Sequence, residues 1–255
     1  MSAELPVLYR VDGGIARITL NRPEKRNALN RELIATLKGT LRESARDESI
    51  RVVVLGGKGK DFCSGMDLNM LLESAGAGML SNRGEAHEFA EVVLAMRHHP
   101  RPIVAAVRGR ALAGGCGLAT AADIILAAES AQFGYPEVNI GFVPAIVTAL
   151  LRRSVSEKRA FELITSGESI SAATAFDFGL VNRVFADETF DVDVETYAVR
   201  LAAKPPSSVM LSKRLLYLTD GMGFEASIEA GGEVNAIARL TEDFKRGVEK
   251  VLKKS

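Results

Sequence analysis

Apolar positions along the first half of the chain switch between two periods. Val7 to Val11 and Ile15 to Leu20 are short β-rich runs separated by Asp12-Gly13-Gly14, which predicts a hairpin. From Asn27 to Arg46 the period lengthens. Leu33, Ile34, Leu37 and Leu41 recur on one helical face, and Asn30 stands where an N-cap is expected. Arg51 to Gly57 returns to a continuous apolar strand that ends in glycines. Residues 69–83, with Ser74, Gly76, Gly78 and Ser81, lack a clear period; they read as a mobile loop beside a pocket or as a plain connector. Helical spacing resumes at Phe89, Val92, Val93 and Met96 and stops at Pro100 and Pro102, which makes His98-His99 a solvated helix end.

Ile103 to Val107 is a second buried strand, followed by the glycine-rich stretch Gly109 to Gly117, a small-residue helix over Leu118 to Ala122, and a strand over Ile124 to Ala127. Strand, glycine turn and helix thus recur three times. This predicts an α/β fold built as a short spiral of strand–strand–helix units, not a sheet with a single dinucleotide fingerprint. After Val184 the strand pattern ends, and Asp191–Ala203, Pro205–Thr219, Phe224–Arg239 and Thr241–Lys253 read as four helices. The expected organisation is a core over 1–192 and a helical region over 193–255. The latter is too small to hold a core alone, so it should pack on the body or on another subunit.

Composition narrows the function classes. Lys+Arg and Asp+Glu are both 32, so net charge offers no attraction to nucleic acid or to an anionic membrane, and any basic site must be local. The start, Met1-Ser2-Ala3-Glu4-Leu5-Pro6, lacks the basic and apolar runs of a signal segment, and no stretch has the length of a spanning helix. Cys63 and Cys116, far apart and without metal-type spacing, fit a reduced cytoplasm. Only three histidines are present, which gives a His-based metal site few ligands.

Three segments carry chemistry. Asp61-Phe62-Cys63-Ser64-Gly65-Met66-Asp67-Leu68 follows one buried strand. Gly109 to Leu118, containing Ala113-Gly114-Gly115-Cys116-Gly117, follows another and opens a helix. Small residues at such corners let backbone approach a ligand, and a helix start leaves N–H groups unpaired where negative charge is favoured. Two converging corners would place two N–H donors around one oxygen; tight packing is the alternative. No Gly-Lys-Ser/Thr sequence occurs, so no P-loop is expected. In the third segment, Ala131 to Pro144, Glu137 sits between an aromatic–proline corner and apolar residues. Such surroundings raise a carboxyl group toward a value useful for proton transfer. A structural glutamate that holds the kinked loop is the alternative.

Taken in order, these segments resemble the crotonase, or enoyl-CoA hydratase/isomerase, superfamily. The resemblance begins at Leu20-Asn21-Arg22-Pro23-Glu24-Lys25-Arg26-Asn27-Ala28-Leu29 and runs through Phe62 to Leu68, Pro102 to Val107, Ala113 to Cys116, Asp123-Ile124, Phe133 to Gly141, Gly167, Ala172 to Ala175 and Gly179-Leu180-Val181. It implies a crotonase-like spiral with a C-terminal helical oligomerisation region, assembled as a homotrimer or a dimer of trimers. It implies an acyl-CoA substrate and no metal or separate cofactor, coenzyme A entering as part of the substrate. The implied oxyanion hole falls on the backbone N–H groups of Ser64 and Gly114, with Glu137 as acid/base. Asp67 is expected to fix the loop behind the hole, and Lys25 and Arg26 to pass the coenzyme A phosphates. Substrate contacts are expected at Lys25, Arg26, Ser64, Gly65, Met66, Asp67, Gly114, Gly115, Gly117, Pro136 and Phe142.

Two departures from that pattern matter. Family hydratases use two glutamates, and the position of the first is Gly117 here. Hydration needs a base for water and a proton for the α-carbon, whereas shifting a double bond from the 3- to the 2-position needs one base. The expected activity is therefore isomerisation most simply, with hydration of an unusual or branched 2-enoyl-CoA as the alternative and a non-catalytic acyl-CoA-binding or scaffold protein as the reading of another class. Glu73, Glu85 and Glu88 are candidates for a replacement carboxylate, with solvation as their other reading. The second departure is Val143-Pro144-Ala145-Ile146-Val147-Thr148, bulkier than the usual helix start there and expected to reshape the acyl pocket.

Overall fold

The computed structural model describes residues 5–253. Residues 1–4, which carry most of the reading of the chain start, and residues 254–255 lie outside the described residues. The strands are β1 (Val7–Asp12), β2 (Ile15–Leu20), β3 (Val52–Gly57), β4 (Ile103–Val107), β5 (Arg110–Leu112), β6 (Ile124–Ala128), β7 (Gln132–Gly134), β8 (Ser169–Ser171) and β9 (Arg183–Phe185). The helices are α1 (Arg31–Arg46), α2 (Leu68–Ala75), α3 (Met79–His98), α4 (Gly114–Ala121), α5 (Ala145–Ser154), α6 (Glu157–Ser166), α7 (Ala172–Asp177), α8 (Phe190–Ala202), α9 (Pro206–Leu218), α10 (Phe224–Arg239) and α11 (Glu242–Leu252).

Six strands form one sheet in the order β1-β2-β3-β4-β6-β9, parallel except for the β1–β2 hairpin, and β5-β7-β8 form a second. Each unit contributes one strand to the large sheet and passes its next extended segment to the small one: β4 is followed by β5, and β6 by β7. The first unit follows suit, because Cys63, beyond β3, bridges Ala111 of β5. The expected spiral of repeated units is present.

Period-two alternation decides which core each residue enters. On β3, Val53 and Leu55 join the main core with Leu33, Phe62, Met96, Ile125 and Phe133. Val52 points the other way, with Ile15, Val104 and Leu126, and this face is closed by Phe190, Val194 and Ala198 of α8. Burying side chains such as Phe190 and Val194 stabilises by about 1.5–3 kcal/mol each. Helix α8 thus crosses residue 192 while packed on the sheet. No residue of α10 or α11 is fully buried, so packing on the body thins after α8 and α9.

Two expectations change. Residues 69–83 are mostly helical. Asp67 caps α2 by accepting from the Asn69 N–H, and Gly76 and Gly78 sit in the break between α2 and α3. Their glycines mark helix ends, not a long loop. Ion pairs of Arg31 with Glu73 and Glu85, and of Lys38 with Glu88 and Glu91, join α2 and α3 to α1. His98 is exposed as expected, but His99 is buried. Its ring meets Ser44 Oγ at 3.2 Å and the Arg101 backbone at 3.1 Å, and burial pushes its pKa down to about 4. Among the described residues no helix is long and apolar enough to cross a membrane.

Candidate active site

The first corner is the middle strand of a three-layered backbone zipper. On one side, Ser64 N–H donates to Arg26 O (3.0 Å), Leu29 N–H to Gly65 O (2.8 Å) and Asp67 N–H to Leu29 O (3.0 Å). On the other, Cys63 N–H donates to Arg110 O and Leu112 N–H to Cys63 O, both at 3.0 Å. The side chain of Asn27 locks the whole: it accepts from Arg22 N–H (2.9 Å) and donates to Lys58 O (3.0 Å) and Asp61 O (2.8 Å). The early Asn-Arg-Pro…Asn-Ala-Leu stretch therefore serves as the frame of this corner.

The zipper corrects one expected donor. The Ser64 amide is engaged by Arg26 O and has no hydrogen left to offer. Gly65 O and Asp67 N–H both turn toward Leu29, so Met66 between them turns its own N–H to the opposite side, and it finds no acceptor among the described residues. The free amide of this corner is that of Met66. Counting alternation along the ladder from Leu29 is the signal that identifies it.

The second corner supplies a partner. Helix α4 begins at Gly114, whose N–H lies in the first turn and makes no hydrogen bond within the described residues. The preceding Ala113 has φ 51° and ψ −128°, a conformation that costs a non-glycine residue about 1–3 kcal/mol. It is held by its N–H to Gly134 O at 2.8 Å. The corners touch backbone to backbone. A Cβ on Gly65 (φ +98°) would lie 2.7 Å from Ala113 Cβ and 3.5 Å from Gly114 N, and one on Gly115 would lie 2.3 Å from Cys63 O. Both readings made of these glycines, close packing and donor presentation, describe the same contact.

Glu137 lies in a 3-10 turn over Pro136–Ile140 that Gly141 closes in the left-handed region. Its side chain is buried, and Oε2 has no hydrogen-bond partner. Burial pushes its pKa above the ordinary glutamate range, opposed only by its own backbone N–H. It lines a cavity of about 490 Å³ together with Ser64, Met66, Ala113, Gly114, Pro136 and Phe142. The rest of the wall is mainly apolar, from Met70, Leu71 and Phe89 on one side and Val143, Ile146 and Val147 on the other. Two residues with unpartnered amides, Met66 and Gly114, and one buried carboxylate line one mainly apolar chamber. Among the described residues no three His, Cys, Asp or Glu side chains gather as metal ligands. Burial pushes the Cys63 thiol up to about 12 and that of Cys116 to about 11, so neither is a ready nucleophile.

The family model described as enoyl-CoA hydratase/isomerase matches residues 10–254. The chain belongs to that family. It is 38% identical over 236 residues to a putative enoyl-CoA hydratase of Thermus thermophilus, covering 92% of this chain and 93% of that protein. It is 35% identical over 242 residues to the 2,3-dehydroadipyl-CoA hydratase of Escherichia coli, covering 93% and 91%. The crystal structure of an enoyl-CoA hydratase from Mycobacterium smegmatis superposes with a TM-score of 0.95 at 33% identity, over 98% of this chain and 97% of that one. The spiral is thus the crotonase fold, with the C-terminal helices included.

Against the family frame, the remaining expected residues divide. Asp67 pairs with Arg22 at 3.2 Å and caps α2, a structural part. Gly115 and Gly65 hold the corners together and stand behind the cavity wall. Lys25 and Arg26 are exposed on the outside of the frame, away from the chamber lining. Of the three alternative carboxylates, only Glu85 lines the cavity, and its charge is matched by Arg31 Nε at 3.0 Å. Gly117 is not in the wall: the chamber side of its helix is covered by Val147, a contact the sequence reading did not single out.

Proposed function

We propose that this chain acts on acyl-coenzyme A thioesters and, most simply, converts a 3-enoyl-CoA to the conjugated 2-enoyl-CoA. The observation that carries this reading is a single unpartnered, buried carboxylate in a chamber where two backbone amides are free. The thioester carbonyl sits between the Met66 and Gly114 N–H groups. Glu137 takes a proton from C2, the electron pair moves onto the thioester oxygen, and the resulting dienolate is held by the two donors. The same carboxyl group returns the proton at C4, and the double bond now lies between C2 and C3. Losing one such donor costs roughly 3 kcal/mol in comparable sites. A backbone donor cannot be deleted by side-chain replacement, which suits a site built from main chain. Raised proton affinity suits Glu137 to both halves of the shuttle.

Lys25 and Arg26, exposed beside the corner frame, supply positive charge for the coenzyme A phosphates. The outward apolar residues Phe224, Ile228, Ile237 and Leu240 of the C-terminal region support packing against further copies, as a homotrimer or a dimer of trimers. The buried free thiols are in keeping with a cytoplasmic setting.

Hydration of an unusual or branched 2-enoyl-CoA is the second reading, favoured by the hydratase names of the relatives and by Glu85 on the cavity wall. Separate incubations with a 3-enoyl-CoA and a 2-enoyl-CoA, followed by absorbance of the conjugated thioester, separate the two. Isomerisation is supported by gain of conjugation from the first with no loss from the second. Loss from the second alone overturns it in favour of hydration. Coenzyme A binding with neither change nor α-proton exchange in heavy water leaves a binding protein.

A further inference from the structure

Gly117 is a glycine for lack of space and not for its backbone. It lies inside α4 with no positive φ, where glycine is about 1 kcal/mol worse than alanine. A Cβ there would stand 1.9 Å from Val147 Cγ1 and 2.8 Å from Val147 Cβ. Val147 is itself buried on α5 and faces the same chamber as Glu137. A β-branched side chain on a helix has essentially one comfortable χ1, so Val147 cannot swing aside. The direction from which a side chain of α4 would reach the chamber is therefore stoppered by hydrocarbon.

Resting on the isomerase reading above, we propose that Val147 is the residue that sets reaction specificity, by denying position 117 any side chain and so keeping a carboxylate from entering the chamber from α4, while the Glu85 carboxylate on the cavity wall stays tied to Arg31. Hydration forms a bond between water oxygen and C3, passes one water proton to a base, and places a proton on C2 from an acid. A stopper of two methyl groups provides neither base nor acid and no polar anchor for water at that wall. The proton that Glu137 removes from C2 then has one productive destination, C4 of the same substrate.

The test compares the wild-type protein with Gly117→Glu, Val147→Gly and the double variant, each assayed on a 2-enoyl-CoA and a 3-enoyl-CoA. Val147→Gly is used because alanine would keep the Cβ at 2.8 Å. Hydration by the double variant at least about tenfold above either single variant is expected, since a positioned acid–base group is typically worth 10²–10⁴ in rate. Equal hydration by Gly117→Glu alone, or none by a folded double variant, overturns the proposal. A melting cycle covers the case of poor folding. Gly117→Ala is expected to lower Tm beside Val147 and to lose that effect beside Val147→Gly; the same drop in both backgrounds overturns the steric claim. A wild-type protein that hydrates and does not isomerise would sink the functional reading, while the melting cycle would still report on the stopper.

Discussion

Asp123 and Glu137 are both carboxylates withdrawn from solvent, and their surroundings are opposites. Asp123 accepts from Ile103 N–H at 2.6 Å, from Lys213 Nζ at 2.7 Å and from the Tyr217 hydroxyl, while Lys213 also donates to Met96 O and Arg101 O at 3.1 Å. These bonds join the start of β4 to α9. Glu137 has an oxygen that nothing touches. Burying an acid is costly unless its lone pairs are met, and at Asp123 they are met by a cation, a hydroxyl and an amide. The structural acid is saturated, whereas the acid in the chamber is left wanting a partner. That contrast separates a joint from the group proposed to react, without reference to any relative.

Three experiments press on the contrast, in falling order of effect. Glu137→Gln should lower turnover by about 10²–10⁴ while leaving the melting temperature equal or higher, because no bond to the rest of the fold is lost. A large drop in stability would move Glu137 into the class of Asp123. Asp123→Asn should do the reverse. It leaves Lys213 buried beside a neutral partner, with about 3–5 kcal/mol lost in denaturant unfolding, and turnover per folded molecule nearly preserved. Adding Lys213→Met should recover part of that loss. The smallest effect is in pH. The carboxyl of Glu137 holds its proton above the ordinary value of 4.5, so the folded chain binds more protons than the unfolded one just above that pH. Its contribution to stability therefore declines as pH rises through this window, and Glu137→Gln should flatten the trend. The rate should climb through the same raised value as the base forms; an acid limb at or below 4.5 contradicts the burial of a reacting carboxylate.

The parts legible in the sequence were those where a local rule and the packing agree. The hairpin at Asp12-Gly13-Gly14, the Asn30 cap, whose side chain accepts from Leu33 N–H, and the repeated strand–glycine–helix units follow directly from period and turn chemistry. Residues 69–83 read as a loop because glycine marks both loops and helix ends; the segment is helical, and it does flank the pocket, through Met70, Leu71, Ser74 and Asn82. His99 looked like an exposed tail because its partner Ser44 lies on another helix. Glu137 was visible as an acid in apolar surroundings, yet its unpartnered oxygen is a fact of three dimensions. The free amide of the first corner lies two residues beyond the expected Ser64, at Met66, because choosing between them needs the ladder with Leu29, which no spacing within 61–68 reveals. The pairing of Gly117 with Val147 joins two helices and was legible only as a general bulk at 143–148.

Because the donors proposed at Met66 and Gly114 are main-chain hydrogens, their presence is independent of what the residue at 66 carries beyond its α-carbon. Drift at that position can reshape the room for an acyl chain while the N–H stays in place. Under the proposed mechanism, substrate range and catalytic power are thereby free to change separately, one through side chains and the other only through the path of the backbone.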